Sequence, residues 1–377
     1  MNTNQVIKDL LVEHDLQALI LTDGYNIHHL TGYRGHTGML LAYEDVCMIL
    51  TDSRYTEQVE IEAPQVQCVD IAGRSYSKAI SEILLSYPKP GKVRRKRLRI
   101  GFENKHISYM QYQAFVDTFA KEYPDIEVEF VPLENSVEKL RERKTEEEIE
   151  KLAQAEAIGD CAFTKILDYI KENIKTGLTE QQIALQLEYE MRLLGAEGVS
   201  FDTIAASGKN SSLPHAMPSA RCLECGDFLT MDFGCKYQGY CSDMTRTIHI
   251  GSTVDAEMQK VYDTVLKAQL AALAMIRPGV VCLEVDKCAR DFISDAGYGA
   301  YFGHGLGHSV GLYIHEEPRF SMKCDAVLEP GVVITVEPGI YLPGRFGVRI
   351  EDMIVVTEDG YRNLATSPKE LICIERN

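Results

Sequence analysis

The chain has 377 residues, of which 45% are hydrophobic and 25% are charged, and its formal net charge is −17 at pH 7. This composition is typical of a globular protein with a large core, and the length predicts about two domains. The excess of acids argues against nucleic acid or an anionic membrane as the main partner and suits a protein that holds cations.

The N-terminal sequence MNTNQVIKDLLVEHDL has acids in its first turns and lacks the apolar core of a secretory signal. No apolar run approaches the roughly 18 residues of a membrane span. The 11 cysteines are odd in number and irregularly spaced, which favours reduced thiols over a disulfide framework. We therefore expect a cytoplasmic protein.

Residues 1–133 are predicted to form a small α/β domain. Segments rich in apolar or β-branched residues, typical of strands, alternate with segments that have apolar residues at helical spacing. The strand-like segments are QALILTD, MLLAYEDVCMILTD, VQCVDIA, LRIGFE and IEVEFVP, and the helix-like ones are YSKAISEILLSY and SYMQYQAFVDTFAKEY. The basic run KPGKVRRKRLR at 89–99 contains Pro90 and Gly91 and enters a strand, so we interpret it as a solvated loop without a function.

A second domain is predicted over residues 134–377. The sequence TEEE, which begins at Thr145, has the pattern of a capping box and precedes a long apolar stripe at helical spacing. Thr179 and Gln182 form a second capping box, and Gly195 stands where a C-terminal glycine would end that helix. Two helices are therefore expected to open this domain.

The segment RCLECGD contains a C-x-x-C pair, Cys222 and Cys225. A structural zinc site usually has two such pairs, and the spacing from Cys235 to Cys241 is too wide for the second. A zinc or redox role is one interpretation. The other, which we favour, is that these are small buried apolar side chains.

The second domain also contains a weak internal duplication. The matched segments share glycines and apolar strand-like residues, and they are IKTG (174–177) with IRPG (276–279), GDFLTMDFG (226–234) with GVVITVEPG (331–339), and GYCSD (239–243) with GVRIE (347–351). This alignment places Asp232 opposite Glu337 and Asp243 opposite Glu351. Each half is therefore expected to supply helices and then a strand hairpin that carries two carboxylates.

A carboxylate within a half-buried strand, as expected for Asp243, is costly unless a cation or several donors meet it. If the two halves pack about a pseudo-two-fold axis, the four carboxylates converge and repel one another. Two divalent cations would balance their four negative charges, so a metal site is one interpretation. The alternative is that the four acids are unrelated surface residues.

Oxygen ligands favour harder or borderline ions such as manganese, and one imidazole is compatible with that choice. The segment GHGLGHSVGLYIHEEP offers His304, His308 and His315. Its GHGLGH portion lacks the strand-to-helix setting of a phosphate-binding loop. In HEEPR, Arg319 stands where a zinc-protease helix would have its second histidine.

These combined motifs resemble the pita-bread metallopeptidase family, which includes methionine aminopeptidase, Xaa-Pro aminopeptidase, prolidase and the metal-free creatinase. The resemblance covers residues from about 137 to 375. In the first domain, NIHHLTGY and TDSRYTEQ are similar to the N-terminal domain of creatinase and prolidase. The resemblance implies an α+β pita-bread catalytic domain with an internal pseudo-two-fold duplication, preceded by a smaller α/β creatinase-like N-terminal domain.

The resemblance also implies a ligand set for two divalent metal ions. Asp232 would chelate one ion, Asp243 and Glu351 would bridge both, and His308 and Glu337 would bind the other. Glu337 would also move protons during the reaction. Manganese is favoured, with cobalt or zinc as alternatives, and two neighbouring ions can polarise the scissile carbonyl.

Further residues match family positions around that ligand set. His215 in LPHAMPS and His315 would stabilise the tetrahedral intermediate, and His304 would line the pocket for the proline of the substrate. Tyr341 and Arg349 would lie beside the metals, with Arg349 holding a ligand carboxylate in place. Each histidine has a plainer interpretation as a hydrogen-bonded core or surface residue.

The N-terminal domain favours a proline-directed peptidase over methionine aminopeptidase. Our leading hypothesis is an Xaa-Pro aminopeptidase, and the alternative is an Xaa-Pro dipeptidase (prolidase). Prolidase-like relatives can have an arginine at the position of Arg319, where it would meet the C-terminal carboxylate of a dipeptide. A surface ion pair of Arg319 with Glu316 or Glu317 is the other interpretation. The complete ligand set counts against a creatinase-like hydrolase or a non-catalytic peptide-binding module, and family habit implies a homodimer.

Overall fold

The computed structural model describes residues 3–44, 46–86 and 97–375. It divides into two compact units, Met1–Leu140 and Arg141–Asn377. Among the described residues, no helix has the length and apolar character needed to cross a membrane.

The domain boundary predicted between residues 133 and 134 lies earlier than this division, and it stays a prediction. Residues 89–96 of the basic run lie outside the described residues, so the interpretation of that run is also untested.

The first unit is an α/β structure, as predicted. Its strands are β1 (Ala18–Leu21), β2 (Met39–Tyr43), β3 (Val46–Thr51), β4 (Gln67–Asp70), β5 (Arg97–Glu103) and β6 (Glu127–Leu133). Its helices are α1 (Thr3–Glu13), α2 (Gly24–Thr31), α3 (Thr56–Glu62), α4 (Tyr76–Ser86) and α5 (Tyr109–Glu122). The sequence patterns predicted α4 and α5 but not the three helices before them.

The strands of this unit form one mixed sheet in the order β4-β3-β2-β1-β5-β6. The single strand-like run MLLAYEDVCMILTD is a hairpin of β2 and β3, and Glu44 at its turn has φ 53°. Side chains of β1 alternate between two apolar clusters: Leu19 and Leu21 belong to one, and Ala18 and Ile20 to the other. Helices therefore cover both faces of the sheet.

The second unit begins within α6 (Glu138–Glu142) and continues with four longer helices. These are α7 (Glu146–Asn173), α8 (Glu180–Leu193), α9 (Ala256–Met275) and α10 (Cys282–Asp295). Both predicted capping boxes are present, with Thr145 as the N-cap of α7 and Thr179 as the N-cap of α8. Gly195 has φ 104°, a conformation that glycine adopts without strain at a helix end.

The strands of the second unit are short and mostly antiparallel. They are β7 (Gly198–Val199), β8 (Ile204–Ser207), β9 (Phe228–Phe233), β10 (Cys235–Tyr237), β11 (Tyr240–Cys241), β12 (Met244–Ile250), β13 (Gly307–Ser309), β14 (Glu316–Phe320), β15 (Val333–Val336), β16 (Gly339–Leu342), β17 (Phe346–Arg349), β18 (Asp352–Val356), β19 (Tyr361–Asn363) and β20 (Cys373–Ile374).

The predicted duplication is present in this unit. In the first half, α7 and α8 precede three antiparallel strands in the order β8-β9-β12. In the second half, α9 and α10 precede three antiparallel strands in the order β13-β15-β18. Each half has its own apolar cluster. The unit is therefore two similar layers of helices and strands, and the matched carboxylates lie on corresponding strands or strand ends.

Candidate metal centre

Three of the four matched acids lie at breaks between strands rather than within them. Asp243 lies between β11 and β12, Glu337 between β15 and β16, and Glu351 between β17 and β18. The expectation that Asp243 lies within a strand was therefore wrong, and its backbone N–H donates instead to Oε2 of Glu156 at 3.4 Å. Asp232 lies near the end of β9. Breaks leave these carboxylates free to turn toward a common centre.

The three side chains Asp243, His308 and Glu351 form a cluster whose ligand atoms lie within 4.8 Å of one another. His308 Nε2 lies 3.5 Å from Oδ2 of Asp243 and 3.5 Å from Oε1 of Glu337. Thr245 donates its hydroxyl to Oε2 of Glu351 at 2.7 Å. Three of the five proposed ligands, Asp243, His308 and Glu351, therefore lie together, and Glu337 lies next to His308.

The tautomer of His308 follows from its partner. Its Nδ1 lies 3.2 Å from the carbonyl oxygen of Ser309, and a carbonyl can only accept a hydrogen bond. Nδ1 therefore carries the proton, and the lone pair of Nε2 faces the carboxylates. The residue before His308 must be glycine, because a Cβ at Gly307 would lie 2.0 Å from the carbonyl oxygen of Thr335 in β15. Gly307 thus allows the strand that carries His308 to pack closely against β15.

The ionisable side chains of this cluster are buried close together, so their charged forms are unfavourable and their pKa values shift. Burial, and then the charge of Glu351, raises the pKa of Asp243 well above its ordinary value, and burial with the charge of Glu337 does the same for Glu351. Burial raises the pKa of Glu337 to about 8 and lowers that of His308 to about 3. Without a cation, burial therefore favours the neutral forms of these acids and of His308.

The residues present fit a divalent ion. Oδ1 of Asp232 is buried and has no hydrogen-bond partner within the described part of the chain. The lone pair of His308 Nε2, on the ring nitrogen opposite the protonated Nδ1, is a further atom that can bind a cation. Carboxylate oxygens with one imidazole are ligands suited to a hard or borderline divalent cation.

Arg349 connects Asp232 to a second group of side chains, Tyr341 and His304. Its Nη2 lies 2.5 Å from Oδ2 of Asp232, and its Nη1 donates to the hydroxyl of Tyr341 at 2.7 Å. That hydroxyl lies 2.9 Å from Nε2 of His304, whose Nδ1 lies 2.8 Å from the carbonyl oxygen of Gly305. Because the carbonyl must accept, His304 Nε2 accepts from Tyr341. Both ring nitrogens of His304 are thus used inside the protein, and only its ring face remains for a ligand.

A cavity of about 840 Å³ opens beside the cluster. Its wall includes the five predicted ligands, Arg349 and the three other histidines of interest, His215, His304 and His315. The rings of His308 and His315 lie 4.5 Å apart between centroids. Tyr341 is buried, and burial raises the pKa of its hydroxyl to about 12.

Arg319 also lies in the cavity wall. Its Nε lies 3.2 Å from Oε1 of Glu317, and the two side chains are 46% and 55% exposed, so the ion pair is a weak one. Glu316, the other candidate partner, is buried and pairs instead with Arg141 and Lys144 at 3.0 and 3.1 Å.

The sequence patterns missed a buried carboxylate in α10 that supports the segment of the cavity wall around His304. Asp286 accepts from the backbone N–H of Leu306 at 2.9 Å and from Arg290. Arg290 donates to the carbonyl oxygens of Phe302 and His304 at 3.0 and 2.7 Å. The only sequence signal was an Asp–Arg pair at helical spacing, which is common on solvated helix faces.

The interpretation of Cys222 and Cys225 as small buried side chains was wrong. Cys222 and Cys225 are exposed and free, whereas Cys235 and Cys241 are buried. Within the described ranges, the metal-ligand cluster contains no cysteine.

Comparisons with known proteins agree on one family. Residues 138–358 match the model of metallopeptidase family M24, and residues 5–143 match that of the creatinase/prolidase N-terminal domain. The structure of an Xaa-Pro dipeptidase from Bacillus anthracis is 39% identical, with a TM-score of 0.88 over 98% of this chain and 99% of that chain. An X-Pro aminopeptidase from Thermotoga maritima is 34% identical, with a TM-score of 0.84 over 96% and 99%. An Xaa-Pro dipeptidase of Pyrococcus furiosus is 44% identical over 244 residues, which are 65% of this chain and 69% of that protein.

Proposed function

This chain belongs to metallopeptidase family M24, and we propose from that premise that it hydrolyses the bond between an N-terminal residue and a following proline. The observation that carries the proposal is the cavity in which Asp243, His308 and Glu351 form a cluster suited to a divalent metal. The similar Xaa-Pro dipeptidases and X-Pro aminopeptidase support this class of substrate. The chain is a metallopeptidase, and peptides are its substrates.

The proposed cofactor is a pair of divalent ions, with manganese favoured and cobalt or zinc as alternatives. The residues that would hold them are Asp232, Asp243, His308, Glu337 and Glu351. When bound, the metal supplies a Lewis acid for the scissile carbonyl and activates a water for attack. The four carboxylates carry as much negative charge as two divalent ions carry positive charge, and this match supports a site for two ions.

The residues around the ligands have separate tasks in the proposed reaction. His215 and His315 donate hydrogen bonds to the carbonyl oxygen as it gains negative charge. Glu337 takes the proton that the attacking water loses and delivers it to the nitrogen of the departing proline. The C–O bond forms first and gives the tetrahedral intermediate. Its collapse restores the carbonyl and breaks the C–N bond, and the proline nitrogen leaves with the proton that the water gave to Glu337. Arg349 fixes the orientation of Asp232 throughout.

The leading form of the proposal is an Xaa-Pro aminopeptidase. The cavity volume of about 840 Å³ lies in the upper part of the range of about 300–1,000 Å³ found for drug-sized ligands. A peptide that continues beyond proline therefore has room in it. His304, whose ring nitrogens are both occupied, offers its ring face to the proline.

A second candidate, an Xaa-Pro dipeptidase, is favoured by Arg319. This guanidinium lies in the cavity wall, and its weak ion pair with Glu317 leaves it free to turn toward a substrate. A bidentate contact with the C-terminal carboxylate of a dipeptide would select substrates that end at proline.

The experiment that tests the proposal is a hydrolysis panel with added Mn²⁺. It compares Xaa-Pro dipeptides, longer Xaa-Pro peptides, Met-Ala peptides and creatine. Cleavage of Xaa-Pro substrates that a chelator abolishes is expected. Cleavage of Met-Ala peptides or creatine alone, or peptide binding without cleavage, would contradict it. The homodimer and the cytoplasmic location predicted from the sequence remain predictions.

A further inference from the structure

The first residue of α8, Glu180, is a carboxylate with no exposed surface. An acid in the first turn of a helix is favourable because it meets the positive end of the helix dipole, and such acids are normally solvated. A fully buried carboxylate needs several donors as well. The donors of Glu180 do not come from α8.

Each oxygen of Glu180 binds a different end of one segment, residues 207–219. Oε1 accepts from the backbone N–H and the hydroxyl of Ser207, both at 2.7 Å. Oε2 accepts from the backbone N–H and the hydroxyl of Ser219, at 3.0 and 2.6 Å. Nδ2 of Asn210, inside the segment, lies 3.1 Å from both oxygens. The carboxylate therefore holds the two ends of the segment together.

The segment 207–219 carries His215 to the cavity. From residue 213 to 219 its backbone forms neither helix nor strand, so its shape depends on such ties. Next to His215, the carbonyl oxygen of Pro214 accepts from Nη1 of Arg349 at 3.2 Å. Arg349 in turn donates to Asp232. The contact with Arg349 fixes one point beside His215, and the course of the rest of the segment depends on how its two ends are fixed.

We propose that Glu180 is a positioning residue for His215. By holding both ends of the segment 207–219, Glu180 sets the distance between the His215 ring and the carboxylate cluster. The inference rests on the proposed peptidase function for its kinetic test, and a second test below is independent of that function.

Glu180→Gln is the informative substitution because it keeps the shape of the side chain. An amide has one oxygen, whereas Glu180 meets the backbone N–H of Ser207 on one side and that of Ser219 on the other. Those N–H groups cannot become acceptors. In either orientation the amide nitrogen faces a donor, so the contacts of Glu180 to one end of the segment are lost. That end keeps its backbone contact, which is the pairing of Ser207 with β9 or the bond from the Gln181 N–H to the Ser219 carbonyl oxygen.

The kinetic test measures kcat/KM for an Xaa-Pro peptide in two backgrounds. With His215 present, we expect Glu180→Gln to lower kcat/KM by about 10- to 100-fold, since displacing a catalytic group by about 1 Å has effects of that size. In the His215→Ala background we expect a further loss of less than about two-fold, because both residues act through one ring. Equal losses in the two backgrounds would overturn the proposal.

Asp160 provides a matched control on α7. Its two oxygens accept from the backbone N–H and hydroxyl of Thr366, at 2.8 and 2.7 Å, and of Ser367, at 2.7 and 2.6 Å. Asp160→Asn therefore removes the same kind of hydrogen bond away from the cavity wall. Its effect on kcat/KM should be the same with His215 and with alanine at that position.

The independent test is hydrogen–deuterium exchange of the metal-free protein. Glu180→Gln should increase amide exchange over residues 208–218, and Asp160→Asn should leave exchange there as in the unmodified protein. Unchanged exchange over 208–218 in Glu180→Gln overturns the proposal even if the protein proves to have no peptidase activity. Should Glu180→Gln not fold, Ser219→Ala is the second variant. It removes the hydroxyl that donates to Glu180 and accepts from Nδ2 of Asn210 and the backbone N–H of Arg221, and it should give the same coupling to His215 at smaller size.

Discussion

Nη2 of Arg349 lies 2.5 Å from Oδ2 of Asp232, although the two residues are 117 positions apart in the chain. The other oxygen, Oδ1, is buried without a hydrogen-bond partner among the residues that the structure describes. One oxygen of Asp232 is thus held by a cation of the protein, and the other remains for a cation from outside. The guanidinium thereby orients the carboxylate before any metal binds.

Arg349→Lys tests this orientation. Lysine keeps the charge, but a single ammonium cannot replace the planar contacts to both Asp232 and Tyr341. We expect Mn²⁺ affinity, measured by calorimetry, and kcat/KM to fall by about 10- to 100-fold. The control is Arg345→Lys, because Arg345 pairs with exposed Glu257 and should be replaceable. An unchanged Mn²⁺ affinity in Arg349→Lys would contradict the argument.

Asp243→Asn tests the cluster itself. The substitution keeps the side-chain volume but removes one charge that Asp243 contributes beside His308 and Glu351. We expect turnover to fall by about three orders of magnitude or more, with the Mn²⁺ content of the purified protein reduced. Circular dichroism should show that the fold is retained. Asp359→Asn, in an exposed turn, is the control, and near-normal turnover of Asp243→Asn would mean that Asp243 is only structural.

Metal binding should stabilise the protein more at high pH than at neutral pH. In the metal-free protein, burial raises the pKa of Glu337 to about 8, and the pKa values of Asp243 and Glu351 are also raised. The folded state then binds more protons than the unfolded state, whose carboxyls have pKa values of about 4. Stability of the metal-free protein is therefore lost as pH rises from about 4 through 8.

His308 has the opposite effect on stability. Burial lowers its pKa to about 3, so the folded protein loses stability as pH falls below about 6.5, where the unfolded chain binds a proton on this histidine and the folded protein does not. The carboxyl effect is thus cleanest between about pH 6.5 and 8.5. We expect the increase in Tm on adding Mn²⁺ to be larger at pH 8.5 than at pH 6.5, by differential scanning calorimetry. An increase that shrinks with pH would contradict the raised pKa values.

Arg319→Ala decides between the two candidate substrates. In an aminopeptidase the substitution should leave kcat/KM for an Xaa-Pro tripeptide within about two-fold, because the exposed ion pair of Arg319 with Glu317 contributes little. In a dipeptidase it should raise KM for Xaa-Pro dipeptides by about ten-fold or more. Lys323→Ala, an exposed cation on the following loop, is the control. Efficient cleavage confined to dipeptides in the unmodified enzyme would overturn the leading assignment.

Local patterns were enough to predict much of the second unit. Thr145 and Thr179 cap α7 and α8 as expected, because a capping box joins residues only three positions apart. The duplication likewise matches Asp232 with Glu337 and Asp243 with Glu351 from the sequence alone. The same reasoning did not separate strands from the breaks at Asp243 and Glu351, because a break of two residues leaves the apolar pattern intact.

The sequence by itself thus indicated α4, α5, α7 and α8, the strands of the first unit and the repeat, all of which depend on spacing along the chain. Only the tertiary structure decided which atoms meet. Glu180 has the sequence pattern of an ordinary acid at a helix start, and folding buries it between Ser207 and Ser219. Arg349 reaches Asp232 across 117 residues in the same way. Burial removes water as a partner, so each such polar group must find its donor or acceptor in a distant segment, and that choice follows from packing rather than from local sequence.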